Sequence, residues 1–204
     1  MDYVIEIGRR QRKRQAMHQM LLDVAQRLFE EQGIGRTTVD DIAAAADVAR
    51  TTVFNHFASK EVIALELASD TTQGLAQQAQ ALLESGIPAL DVLQSISRTF
   101  LDASLDTGES AVAVARELLH TDPERVARAH QIVPIRHIVE AILIEAREEG
   151  AVRPDLPLDV VADRFSALLV QIVTQVVTCE ASRLHEHLAV SLDILFNGIT
   201  ERRI

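Results

Sequence analysis

Thr37-Thr38-Val39-Asp40-Asp41-Ile42-Ala43-Ala44-Ala45-Ala46-Asp47-Val48-Ala49-Arg50-Thr51-Thr52-Val53-Phe54-Asn55-His56-Phe57 is the stretch on which the fold turns. Thr37 and Thr38 are each followed three residues later by an aspartate, Asp40 and Asp41. At that spacing a hydroxyl and a carboxylate can satisfy the orphan N–H groups of a helix start. A short helix is expected through Ala45, then a turn at Asp47-Val48, then a second short helix from Ala49 to His56. Ile42 and Val53 would point inward, Ala43 is small enough to let the helices cross closely, and Val48 would plug the corner. That is the physical layout of a helix-turn-helix. The outward face of the second helix then carries Arg50, Thr51, Thr52, Asn55 and His56. Arginine can fork onto guanine, asparagine can pair with adenine, and threonine offers a hydroxyl and a methyl, so this face suits the major groove of a duplex. Thr38, His56 and Lys60 fall near helix ends on the same side, where they would hold phosphates and set register.

Working outward from this hairpin, Leu21, Ala25 and Leu28 recur at i, i+4 and i+7. They make roughly Gln11 to Gln32 an amphipathic helix, stopped by Gly33 and Gly35. Leu28, Phe29 and Phe57 can close a three-helix core with Ile42 and Val53. Ser59 is a suitable N-cap for a fourth helix toward Leu83. Breaks follow at Ser85-Gly86-Ile87-Pro88, at Thr107-Gly108, at Thr121-Asp122-Pro123-Glu124 and from Glu149-Gly150 through Pro157. Two final helices are expected, about Leu158 to Cys179 and Ser182 to Arg202. With so few breakers and so much Ala, Leu, Glu, Gln and Arg, the chain is read as all-α, with about nine helices.

A net charge of −10 argues at first against a DNA partner. The charge is unevenly placed: residues 1–60 hold nine Lys/Arg against eight Asp/Glu, and the rest hold eleven against twenty-two. Arg9, Arg10, Arg12, Lys13 and Arg14 crowd together, so a basic arm is joined to an acidic body. The arm could follow phosphates or the minor groove, or be a solvated tail. Aromatic residues make up 3% of the chain, too few for a single-strand stacking surface. Met1 to Gly8 has no apolar run of signal-peptide length, and Asp163 and Arg164 interrupt the most apolar later segment, Val160 to Val177, so a soluble, cytoplasmic protein is expected.

Thr37 to Ala43, Val48 to Phe57 and Ser59-Lys60-Glu61 together resemble the TetR family of bacterial transcriptional repressors, over roughly residues 14–67. Gly150 to Leu156 resembles the family more weakly. The resemblance implies a helix-turn-helix domain over residues 1–60, with its basic N-terminal arm, and a helical ligand-sensing and dimerisation domain over 61–204. It implies a homodimer on a palindromic double-stranded operator, released by a small-molecule effector, with no cofactor and no membrane partner. It implies DNA contacts at Thr38, Arg50, Thr51, Thr52, Phe54, Asn55, His56 and Lys60. Three positions depart from the family: Asp47 where a turn glycine is common, Ala49 where Ser or Thr caps the recognition helix, and Phe54 where a tyrosine gives its hydroxyl to a phosphate.

The apolar residues of the last two helices exceed what one subunit core needs: Val161, Phe165, Leu168, Leu169, Ile172, Val173 and Val176, then Leu184, Leu188, Leu192, Leu195, Phe196 and Ile199. A second subunit is expected against them, as a four-helix interface. Two recognition helices would then be spaced about 34 Å apart, or a multiple, for adjacent grooves. Phe100, Arg116, His120, His137 and Gln171 mix apolar lining with polar handles, although the ligand-binding residues are not identified by the sequence. His130 and His137 could share a helix face, but a seven-residue separation spans two turns, too far for one metal ion. Cys179 is alone, with no cation nearer than Arg183, which suits a packed thiol. No nucleophile and base at motif spacing, phosphate loop or metal signature supports a small helical enzyme. A regulator that keeps a helix-turn-helix for protein contacts is the other reading. A continuous fourth helix suggests that effector binding moves it and changes the separation of the recognition helices.

Overall fold

The computed structural model describes the backbone of residues 2–200 and the side chains of residues 8–200. Among these it is helical throughout, with ten helices: α1 (Asp2–Gln32), α2 (Val39–Ala45), α3 (Arg50–His56), α4 (Lys60–Glu84), α5 (Ala89–Thr107), α6 (Glu109–Leu118), α7 (Pro123–Ile132), α8 (Ile135–Glu148), α9 (Leu158–Val173) and α10 (Ala181–Ile199). They fall into two compact units, Met1–Leu67 and Ala68–Ile204. The division lies within α4.

In the first unit α2 packs on both α1 and α3. Leu21, Ala25, Phe29, Ile34, Ile42, Ala43, Val53 and Phe57 are all buried, so residues i, i+4 and i+8 of α1 floor a three-helix core, while Leu28, the expected i+7 member, is half-buried. Thr38, not Thr37, caps α2. Its hydroxyl accepts from the Asp41 N–H at 3.1 Å, and the Asp41 carboxylate accepts the Thr38 N–H at 2.8 Å, a reciprocal capping box. The Thr38 hydroxyl, which donates to that carboxylate, and then the Thr38 N–H hold the Asp41 carboxyl below its usual range. Thr37 is buried instead, and its hydroxyl donates back to the Gly33 carbonyl at 2.9 Å.

The turn between α2 and α3 closes as a Schellman motif: Val48 N–H donates to Ala43 O at 3.0 Å and Asp47 N–H to Ala44 O at 3.2 Å. The motif needs a left-handed residue, and Asp47 supplies it with φ +52°. α3 has no side-chain cap at Ala49, as the missing hydroxyl there implies.

Three boundaries differ from the sequence reading. α1 starts at Asp2 rather than near Gln11, so the basic arm is helical; no proline precedes it, and Arg12 ties back to the Gly8 carbonyl at 3.2 Å. Pro134, unused as a break in that reading, separates α7 from α8 because its ring removes an N–H and crowds the carbonyl four residues back. That is why ten helices are seen where about nine were expected, and why His130 and His137 lie on different helices rather than on one face. α9 ends at Val173 instead of reaching Cys179. Ile172, Val173, Thr174, Val176, Val177 and Thr178 are all β-branched, and the Thr174 and Thr178 hydroxyls bond the carbonyls three residues back, at 2.6 and 3.1 Å. The tighter turns that result replace the last helical turns. The expected end of α10 at Arg202 lies outside the described residues, which follow it to Ile199.

The second unit is built on α5, α8 and α9, with α6, α7 and α10 packed around them. Its core holds Val92, Leu93, Leu101, Val139, Ile142, Leu143, Phe165, Leu169, Leu184 and Leu188. The Glu149 carboxylate accepts the Ala89 N–H with both oxygens (3.1 and 3.0 Å), so the end of α8 caps the start of α5. His185 of α10 presents both ring nitrogens to acceptors, the Ala181 carbonyl (2.8 Å) and Asp102 of α5 (2.7 Å), which raises its pKa. No helix among the described residues is long and apolar enough to cross a membrane.

The left-handed conformation of Asp47 is strained relative to glycine. Asp47→Gly is expected to stabilise the protein by about 0.5–1 kcal/mol, and Asp47→Val to destabilise it by about 1–2 kcal/mol, read as shifts of the urea unfolding midpoint.

Candidate nucleic-acid interface

α3 buries one residue of its seven, Val53, and Phe57 anchors its end. Everything else on it faces outward or is half-covered: Arg50, Thr51, Phe54 and Asn55 are exposed, and Thr52 and His56 are half-buried. The structure therefore brings six of the eight predicted contact residues onto one short helix. It also shows what each is doing without a partner. The Arg50 guanidinium is 2.8 Å from the Asp40 carboxylate of α2 and lies over the Phe54 ring, 5.4 Å from its centroid. Both ends of that ion pair are mostly exposed, so it is worth at most about 1 kcal/mol and yields readily to a better acceptor. Phe54, 44% exposed, serves as a platform for Arg50 where a tyrosine would offer a hydroxyl.

Thr38 and Lys60 are more committed. The Thr38 hydroxyl, besides accepting from Asp41 N–H, donates to the Asp41 carboxylate at 2.7 Å. The Lys60 ammonium, half-buried, donates to the carbonyls of Ile34 (2.7 Å) and Thr37 (2.9 Å). Two of its three N–H groups thus stitch the α1–α2 loop to the start of α4, leaving one for any phosphate.

His56 sits in a ring cluster that sequence reasoning did not anticipate. His18 of α1 stacks on Phe57 with centroids 4.4 Å apart, lies 5.6 Å from the His56 ring, and bonds the Glu66 carboxylate of α4 at 2.7 Å. The usable signal was positional: His18 is four residues before Leu22, on the row of α1 that meets the core. Burial first, then the neighbouring His18 and Arg14, push the His56 pKa below 6.5. The imidazole is therefore neutral at physiological pH, with a hydrogen to donate and no charge.

In the second unit, Arg116, His137 and Gln171 are exposed, and Phe100 and His120 are half-buried. Gln171 lines an open groove of about 510 Å³ between α9 and α10, with Leu168, Ile172, Arg183, His187 and Val190. Glu117, buried, is held by Arg125 of α7, a pair that the spacing did not suggest. Two buried polar atoms, His130 Nδ1 and Arg147 Nε, have no hydrogen-bond partner within the described chain. No group of three or more His, Cys, Asp or Glu side chains among the described residues could hold a metal ion. Cys179 is half-buried beside Gln175.

Lys60→Met should lower stability by about 1–3 kcal/mol in urea unfolding, because it strands two carbonyls. It should change the salt dependence of DNA binding by no more than one phosphate contact. If His56 lies beside phosphate, affinity for duplex DNA should rise as pH falls below 6.5, since protonation would add a cation there. A pH series of binding isotherms with His56→Gln, which leaves His18 in place, should be flatter than wild type; equal slopes would show that His56 does not face the nucleic acid.

Residues 21–67 match the family model described as bacterial regulatory proteins, tetR family, and residues 69–198 match that of the C-terminal domain of TetR/AcrR family transcriptional repressors. The repressor KstR2 of Rhodococcus jostii (strain RHA1) is 30% identical over 148 residues, covering 71% of this chain and 72% of that protein. The regulator TcmR of Streptomyces glaucescens is 48% identical over 58 residues, 28% of this chain and 26% of its own. Among solved structures, the repressor FadR of Thermus thermophilus, in complex with lauroyl-CoA, superimposes with a TM-score of 0.83 at 28% identity, over 92% of this chain and 97% of that one. These relatives are transcriptional regulators. With both units matched and the helix-turn-helix geometry in place, the chain belongs to the TetR family of bacterial transcriptional repressors.

Proposed function

We propose that this repressor binds a palindromic operator as a homodimer, α3 entering the major groove of each half-site, and that a small molecule bound in the second unit releases it. The observation that carries the reading is the division of α3, with Val53 and Phe57 buried and Arg50, Thr51 and Asn55 exposed on a rigid base. Arg50, Thr51, Thr52 and Asn55 read base edges. His56 donates to a phosphate, and Phe54 steers Arg50. Thr38 and Lys60 act chiefly by fixing the loop and the start of α2, each keeping limited capacity for a phosphate. Val190 and Ile194 of α10, 54% and 66% exposed, beside the α9–α10 groove, support the last two helices as the dimer face. The surplus of apolar residues there is smaller than the sequence pattern suggests, since most of those residues fill the subunit's own core.

For the effector we propose a fatty acyl-CoA thioester, because the FadR structure that superimposes so fully holds lauroyl-CoA. His130 Nδ1, buried without a protein partner, is a polar atom such a ligand could satisfy. Asp163 of α9 and His137 of α8 lie near enough to act on its charge.

Selection of bound duplexes from random-sequence DNA tests the reading as a whole. A palindromic consensus is expected. Asn55→Ala or Arg50→Ala should relax one position of each half-site at a cost of about 1–3 kcal/mol. Lauroyl-CoA should weaken the complex in gel shift. Failure to enrich any duplex at low salt would overturn the proposal, and an enriched duplex untouched by either substitution would overturn the assignment of α3.

A further inference from the structure

The basic segment of α1 is contiguous with the recognition surface. Arg10, Arg14, His18 and Leu22 are four residues apart and so form one row along the helix. Along that row the surroundings change in one direction: Leu22 is buried in the three-helix core, His18 is half-buried against Phe57, and Arg14 and Arg10 are exposed. The face of α1 that packs on the helix-turn-helix thus does not stop where the core stops. It runs on past the end of α3, with guanidinium groups in place of leucines. Arg14 lies near enough to His56 for its charge to be felt at that ring, and Arg10 is one turn farther, about 6 Å along the axis.

Composition points the same way. No Asp or Glu occurs between Glu6 and Asp23, a sixteen-residue stretch holding five cations in a protein of net charge −10. A tail kept merely soluble needs no facing row, whereas a polyanion beside α3 would meet this row first.

We infer that Arg10 and Arg14 form a second DNA-contacting surface, gripping the phosphate backbone of duplex DNA that flanks the bases read by α3. Its charge complements the phosphate backbone and it is continuous with the recognition helix; the inference rests on the reading of α3 as the groove-binding element. Arg9 and Arg12 lie on the other sides of α1, and Arg12 is turned back onto the Gly8 carbonyl. They are matched in charge and differ only in direction.

That difference makes the test. The full chain is titrated against a fluorescent duplex recovered by selection from random DNA, at several salt concentrations, as wild type, Arg10→Ala/Arg14→Ala, Arg9→Ala/Arg12→Ala and Arg10→Lys/Arg14→Lys. Each phosphate contact contributes about 0.9 to the slope of log affinity against log salt. The Arg10→Ala/Arg14→Ala pair should flatten that slope by about one to two and leave the selected consensus unchanged. The Arg9→Ala/Arg12→Ala pair should flatten it by less than half as much, and the lysine pair should restore it. Far-UV circular dichroism checks that α1 persists, and the matched alanine pair controls for helix propensity. Equal effects of the two alanine pairs, or no effect of the first, would overturn the inference. Asn55→Ala separates the two readings: it should blur the consensus and spare the salt slope. If it does neither while Arg10→Ala/Arg14→Ala flattens the slope, the assignment of α3 fails, and with it the placing of the α1 row beside bases that α3 reads; α1 then binds phosphates on its own account.

Discussion

A helix of seven residues with no side-chain cap at its start does not hold itself together in water, because nucleation fixes several dihedrals before hydrogen bonds return anything. α3 exists because Val53 and Phe57 are withdrawn from solvent with Ile42, Ala43 and Phe29. Each such side chain, fully buried, contributes about 1.5–3 kcal/mol relative to exposure, far more than the capping bond α3 lacks. The direction in which Arg50 and Asn55 project follows from that burial. So does the need for a tightly closed corner at Asp47-Val48: a looser turn would rotate the outward face of α3 without altering any residue on it.

Three supports converge on the same small core. Thr37 closes the end of α1 through the Gly33 carbonyl, Lys60 fastens the following loop from the start of α4, and His18 joins α1 both to Phe57 and, through Glu66, to α4. Each is a half-buried or buried polar group bonded to a neighbouring element, which makes the first unit rigid at its edges as well as at its centre. A reading surface must be rigid, since half an ångström of play at a base edge removes the advantage of a bidentate bond.

How far the sequence discloses this can be judged residue by residue. The Ile42, Val53 and Phe57 positions and the Leu21, Ala25, Phe29 stripe were legible because period and burial are linked by helix geometry, and Asp47 was legible because few residues tolerate a left-handed turn. Pro134 gives a weak signal for a break, because a single proline with no glycine beside it suits a kinked helix as well. The early end of α9 was hidden because Val173 to Val177 reads as apolar and periodic, while the β-branched crowding that ends the helix has no period. The Thr38–Asp41 spacing announced a cap, with Thr37 as the alternative, but the commitment of Lys60 was out of reach: a cation near a helix end suits a phosphate and a carbonyl equally well, and only coordinates say which lies nearer. Likewise, the His18–Glu66 bond joins residues 48 apart in the chain, and the position of His18 on α1 does not by itself name that partner.

The pairing of Arg50 with Asp40 above the Phe54 ring has a consequence for how such a protein scans a genome. A guanidinium with no neighbour would seize any phosphate it met, and the protein would linger on irrelevant DNA. Here a lone phosphate oxygen must compete with a carboxylate already in place, an exchange of one anion for another that gains little. If Arg50 reads a base as proposed, a guanine with two acceptors in the plane of the fork repays that exchange where a lone phosphate does not. The acidic neighbour would then set selectivity more than strength.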